Sequence, residues 1–99
     1  MKKSGVITYK KSKIGKISPV SHQYNLFRAL LSQRDKTMFM TTKMILEFLG
    51  KPTEGDPTLY LPTDTAKNLR GTFNRYNIPI RLRKKNDCFM LEGKDLKTT

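Results

Sequence analysis

The sequence predicts a small α+β domain in which three amphipathic helices lead into a basic two-stranded hairpin, with a short β arm ahead of them. Three observations carry that expectation. Apolar residues recur at helical spacing in three separate stretches, the period drops from 3.6 to 2 after Pro79, and the basic residues gather in two zones that flank a nearly neutral middle. Ninety-nine residues suffice for one core of modest size.

Residues 1 to 18 are expected to form a basic N-terminal arm or short hairpin. MKKSG reads as a loose tail, Val6 to Tyr9 as a short β-branched run, and Lys10 to Lys13 with Gly15 as a basic turn leading to Ile17. The domain proper is expected over 19 to 91. Pro19 and Ser21 mark the start of the first helix, whose apolar positions Leu26, Phe27, Leu30 and Leu31 run to about Gln33. Met38, Phe39 and Met40 are too short a run for a helix and suit a strand that pairs with the later hairpin. Thr41 or Thr42 can cap a second helix with Ile45, Phe48 and Leu49 on its apolar side, ended by Gly50 with Pro52 behind. KPTEGDPTLYLPT, residues 51 to 63, is a loop anchored by Leu59, Tyr60 and Leu61.

The third helix, about 64 to 76, organises the rest. Ala66, Leu69, Phe73 and Tyr76 form its apolar stripe; Asp64, Lys67, Asn68, Gly71, Asn74 and Arg75 lie on the other side. Those groups suit phosphates and base edges, and Gly71 in mid-face lets a partner approach closely. The bland reading, a solvated helix surface, explains the same pattern. Asn77 and Pro79 stop the helix. Arg81, Leu82 and Arg83 alternate, Asn86 and Asp87 supply turn chemistry, and Cys88 to Leu91 is a second apolar run, so 80 to 91 reads as a hairpin with Arg83, Lys84 and Lys85 at its tip. Residues 92 to 99 read as a frayed polar tail.

Twenty basic residues against eight acidic ones leave a net charge of +12. Such an excess opposes folding by self-repulsion unless a polyanion relieves it. No acid precedes Asp35, and none lies between Thr65 and Asn86. A basic face points to nucleic acid ahead of an acidic membrane or protein. Enzyme chemistry finds no cluster: His22 is the single histidine, Cys88 the single cysteine, and no zinc spacing or phosphate loop occurs, so no catalyst, metal or cofactor is expected. No apolar run is long enough to span a bilayer, and no signal-peptide core follows the basic start, so a cytoplasmic, nucleoid-associated protein is expected.

The pattern resembles the winged-helix DNA-binding domain of OmpR/PhoB-type response regulators over roughly residues 14 to 91. Ile17, Ser18 and Pro19 before Tyr24, Leu26, Phe27, Leu30 and Leu31 resemble the turn into that family's first helix. Phe39, Met40 and Thr41 before Ile45, Leu46 and Gly50 resemble its strand, cap and second helix, and Ala66, Leu69, Arg70 and Phe73 its recognition-helix core. Ile80 to Leu91 falls where the family has its wing, with Phe89 and Leu91 in the closing strand, although the family's wing glycines are absent. No receiver domain accompanies it, so no phospho-switch is implied.

The resemblance implies a helix-turn-helix whose third helix enters the major groove while the wing contacts backbone or minor groove. Lys67, Asn68, Gly71 and Asn74, with Asp64, would then face base edges; Lys10, Lys11 and Lys13 of the arm, Arg70, Arg75, and Arg81, Arg83, Lys84 and Lys85 of the wing would meet phosphates. Double-stranded DNA is the expected partner and transcription the expected process. The competing expectation is an interaction module of the same fold that grips a polymerase subunit or another regulator by loop 51 to 63 and the second helix, as a phage or mobile-element regulator would. RNA ranks below both, because no aromatic platform lies on a strand pattern. Nothing in the sequence fixes whether one copy or a homodimer binds.

Overall fold

The computed structural model describes residues 5–9, 12–33, 39–78, 81–86, 88–92 and 96–98. In chain order they form strands β1 (Val6–Tyr9) and β2 (Ser12–Lys16), helix α1 (His22–Gln33), strand β3 (Met40–Thr41), helix α2 (Thr42–Leu49), a single 3-10 turn (Pro57–Leu59), helix α3 (Thr65–Arg75), and strands β4 (Arg81–Lys85), β5 (Cys88–Glu92) and β6 (Leu96–Thr98). The described residues thus form an α+β domain with three α-helices and two small antiparallel sheets, ordered β2-β1-β6 and β3-β5-β4.

Local chemistry sets the helix ends. Ser21 Oγ accepts a hydrogen bond from the Tyr24 amide at 3.1 Å and starts α1, and Thr41 Oγ1 accepts from the Met44 amide at 3.1 Å to start α2. Each such cap contributes about 1 kcal/mol. α2 ends on Gly50 at φ 70, a left-handed residue that lets the Lys51 amide return to the Leu46 carbonyl at 2.9 Å. α3 ends in the same way on Asn77 at φ 54, with the Ile78 amide on the Phe73 carbonyl at 2.9 Å. Asn77 is therefore sufficient to stop the helix; Pro79 lies outside the described residues.

One core joins both sheets and all three helices. Ile7, Phe27, Ile45 and Leu69 are fully buried in it, and the rings of Phe27 and Phe73 meet edge to face at 5.5 Å between α1 and α3. Burying side chains of this size contributes roughly 1.5–3 kcal/mol each, so packing sets the fold and the caps trim its ends.

Several expectations need correction. The residues before Val6 are not all loose: Gly5 is buried and its carbonyl accepts from the Ile17 amide at 2.8 Å. Gly15 lies within β2 rather than in a turn, and a side chain there would collide with the Tyr76 ring. On α2 Leu46 is buried together with Ile45, at 1% exposure, whereas Phe48 is 44% exposed. In the loop, Leu61 is the anchor at 7% exposure, while Leu59 is 71% exposed on the 3-10 turn. That turn is capped by Asp56, whose Oδ1 accepts from the Thr58 amide at 2.9 Å and its hydroxyl at 2.7 Å. These bonds hold the Asp56 carboxyl below its usual pKa.

The largest departure is at the C-terminus. Leu96–Thr98 is not frayed: it pairs antiparallel with β1, setting Ile7 opposite Thr98 and Tyr9 opposite Leu96. β1 carries the buried Ile7 and would otherwise leave one row of backbone groups unpaired beside the core. Deleting residues 96 to 99 should therefore lower stability by about 2–4 kcal/mol, several ladder bonds at about 1 kcal/mol each. An unchanged urea midpoint in the truncated chain would show that β6 adds nothing.

A candidate nucleic-acid interface on α3 and the β4–β5 hairpin

α3 has its rotation fixed from three sides. Ala66, Leu69 and Phe73 point into the core. On one flank the Arg70 Nε donates to the Leu82 carbonyl of β4 at 3.2 Å, and on the other the Thr72 hydroxyl donates to Gln23 Oε1 of α1 at 2.6 Å. At its C-terminal end the Tyr76 hydroxyl donates to the Lys16 carbonyl of β2 at 3.3 Å. With about 100° between successive residues, the outward face then reads, from the hairpin side to the α1 side, Asn74, Lys67, Gly71, Arg75, Asn68. All five are exposed, as are Asp64 and Arg70.

The register of the hairpin sorts its cations. Arg81, Arg83 and Lys85 pair with Glu92, Met90 and Cys88, while Leu82 and Lys84 pair with Leu91 and Phe89. Paired residues share a face of the sheet. Leu82 and Leu91 are buried, so their face is the core side and Arg81, Arg83 and Lys85 lie on the outer one. The Arg70 to Leu82 bond ties α3 to β4. The cations of β4 repeat every second residue, about 6.6–6.8 Å.

Five expected residues need a separate account. Lys84 belongs to the core-side face, its Nζ 5.9 Å from the centroid of the Phe89 ring, apart from the outer row. The alternation that identified the strand already groups it with Leu82. Arg70 spends its Nε on Leu82, so it positions the hairpin against the helix and offers only the rest of its guanidinium. Lys13 is exposed, but pairs with Thr8 on the face of its sheet opposite Ile7, away from the contact between Gly15 and Tyr76. Lys10 and Lys11 lie outside the described residues. At the tip Lys85 still pairs with Cys88, and Asn86 after it stands at φ 55; Asp87 lies outside the described residues.

Among the described residues no group of three or more His, Cys, Asp or Glu converges as a metal site requires, and no helix is long and apolar enough to cross a membrane. His22 is exposed and Cys88 half-buried. What α3 and β4 offer is exposed cationic and amide groups, with no acid in the sequence between Thr65 and Asn86.

Gly71 is the odd residue on that face. No atom outside the helix lies within 4 Å of where its Cβ would stand, so packing does not require a glycine there. A glycine inside a helix costs about 1 kcal/mol relative to alanine. Gly71→Ala should therefore raise stability by about 0.5–1 kcal/mol. If a partner closes on this face, the same substitution should weaken its binding, so stability and affinity would move in opposite directions; equal affinity for both proteins would mark Gly71 as incidental. Comparison with protein-family models, with characterised proteins and with solved structures finds no match for this chain.

Proposed function

We propose that this chain is a small DNA-binding protein of winged-helix type that regulates transcription, with α3 as the major-groove reader and β4–β5 as the wing. The observation that carries the reading is the Arg70 to Leu82 bond, which ties α3, with its exposed amides, to β4, the strand that holds the cationic row. A duplex laid on such a surface would meet Lys67, Asn68 and Asn74 at base edges and Arg75, Arg81, Arg83 and Lys85 at phosphates. Asparagine can pair bidentately with adenine, and each good base contact is worth about 1–3 kcal/mol of discrimination. The order of helices, the strand that pairs with the hairpin and the hairpin itself are the arrangement implied by the OmpR/PhoB-type resemblance.

If about six phosphates are neutralised, log K for duplex binding should fall with log salt at a slope near −5. Replacing Arg81, Arg83 and Lys85 together by alanine should make that slope shallower by about 2–3 and weaken all sequences alike. By contrast, Asn68→Ala or Asn74→Ala should leave the slope and relax sequence preference in a random-duplex selection. A wild-type slope shallower than about −2 would reject the phosphate-driven reading.

A second reading keeps the fold and gives it a protein partner. Its specific support is a set of exposed apolar groups away from the α3 face: Leu59 on the 3-10 turn and Phe48 on α2, with the Arg28 guanidinium 5.5 Å from the Phe48 ring centroid. Aromatic and arginine side chains together are the usual composition of an interface centre. Retention of one defined protein after nuclease treatment, with no footprint on DNA, would favour this second reading. Loss of all bound protein on nuclease treatment would favour the first.

A further inference from the structure

A cleft of about 170 Å³ opens beside the first turn of α3 and the hairpin. Leu26, Leu61, Ala66 and Phe89 give it an apolar lining; hydroxyl-bearing Thr42, Thr58, Thr63 and Thr65 also border it. Lys84 is the one cation among its described lining residues, held over the Phe89 ring. The cleft thus couples the start of α2, the connection after the 3-10 turn, the first turn of α3, and the hairpin.

We infer that this cleft binds a small apolar monocarboxylate and that its occupancy tunes the affinity of the neighbouring face for its polyanion. A cavity of about 150 Å³ accepts a benzene-sized molecule, so the volume suits one ring or a short branched chain. Its apolar body would cover Leu61, Ala66 and Phe89, and its carboxylate would meet the Lys84 ammonium. This also supplies a use for a lysine that the strand register separates from Arg81, Arg83 and Lys85. The ligand would lie against the first turn of α3 and the hairpin at once, and would neutralise one charge beside the basic face. Duplex binding is therefore weakened by occupancy, and by reciprocity the duplex weakens ligand binding. The coupling rests on the DNA-binding reading; cleft binding itself does not.

Amide and methyl NMR titration of the whole chain with benzoate, and separately with benzyl alcohol, tests the binding step. Saturable shifts are expected at Ala66, Lys84 and Phe89 with a Kd on the order of 1 mM. Benzyl alcohol should bind about fivefold or more weakly, a preference lost in Lys84→Met and kept in Lys84→Arg. Equal response to the two probes, shifts confined to other residues, or an unchanged preference in Lys84→Met overturns the site. Saturating benzoate should then lower duplex affinity about fivefold. An unchanged duplex affinity with a filled cleft overturns the coupling alone, and a filled cleft in a protein that binds no duplex overturns the DNA reading and leaves the cleft standing.

Discussion

The rotational setting of α3 about its own axis is the constraint on which the rest depends. Leu69 and Phe73 are held in the core, and four other elements touch the same helix: α1 through Gln23, β4 through Leu82, β2 through Lys16, and the turn before it through Pro62, whose carbonyl accepts from the Thr65 amide at 3.0 Å. Two buried side chains of this size are worth roughly 3–6 kcal/mol, whereas each hydrogen bond adds about 1 kcal/mol. Packing therefore decides which side of α3 faces inward. The polar bonds fix the helix within that choice, and a rotation by one residue position would turn Phe73 toward solvent.

The charge of the hairpin can be understood without any partner, and that explanation has a limit. β4 is an outer strand of its sheet, and charged side chains on such a strand discourage pairing with another chain. One or two lysines would serve. Four cations in five residues, Arg81, Arg83, Lys84 and Lys85, exceed that need and carry a repulsive cost in a chain already at +12. The strand register sets Glu92 opposite Arg81, and Met90 and Cys88 opposite Arg83 and Lys85.

Most of the local architecture was legible in the residues. Ser21, Thr41 and Gly50 act where their chemistry requires, and the stripe Ala66, Leu69, Phe73 faces the core, because capping and helical periodicity are properties of a few neighbouring residues. The misses are tertiary. Phe48 and Leu46 both fit an apolar helix side, and only the position of α1 decides that Leu46 goes inward. Leu59 is the last residue of the 3-10 turn that Asp56 caps and Leu61 lies just beyond its end, a difference that LYL alone does not encode. β6 could not be read because three residues, Leu96 to Thr98, carry no pattern of their own and become a strand by completing β1 across the length of the chain. For the candidate face, the exposed residues of α3 were legible; the sorting of Lys84 from Arg83 and the structural engagement of Arg70 were not, since both depend on which neighbours the fold supplies.

Gly71 and Arg70 together bear on whether the outer face is more than solvated surface. A helix selected for stability alone would place alanine or another good helix former at an exposed, uncrowded position. Here a glycine occupies the middle of the outward face with open space where its side chain would be. The next residue back holds the hairpin to the same helix. Backbone accessibility at the centre and a fixed cationic flank are complementary requirements for a partner that presses close and carries negative charge along its length. A merely solvated helix needs neither, and the two features stand side by side on α3.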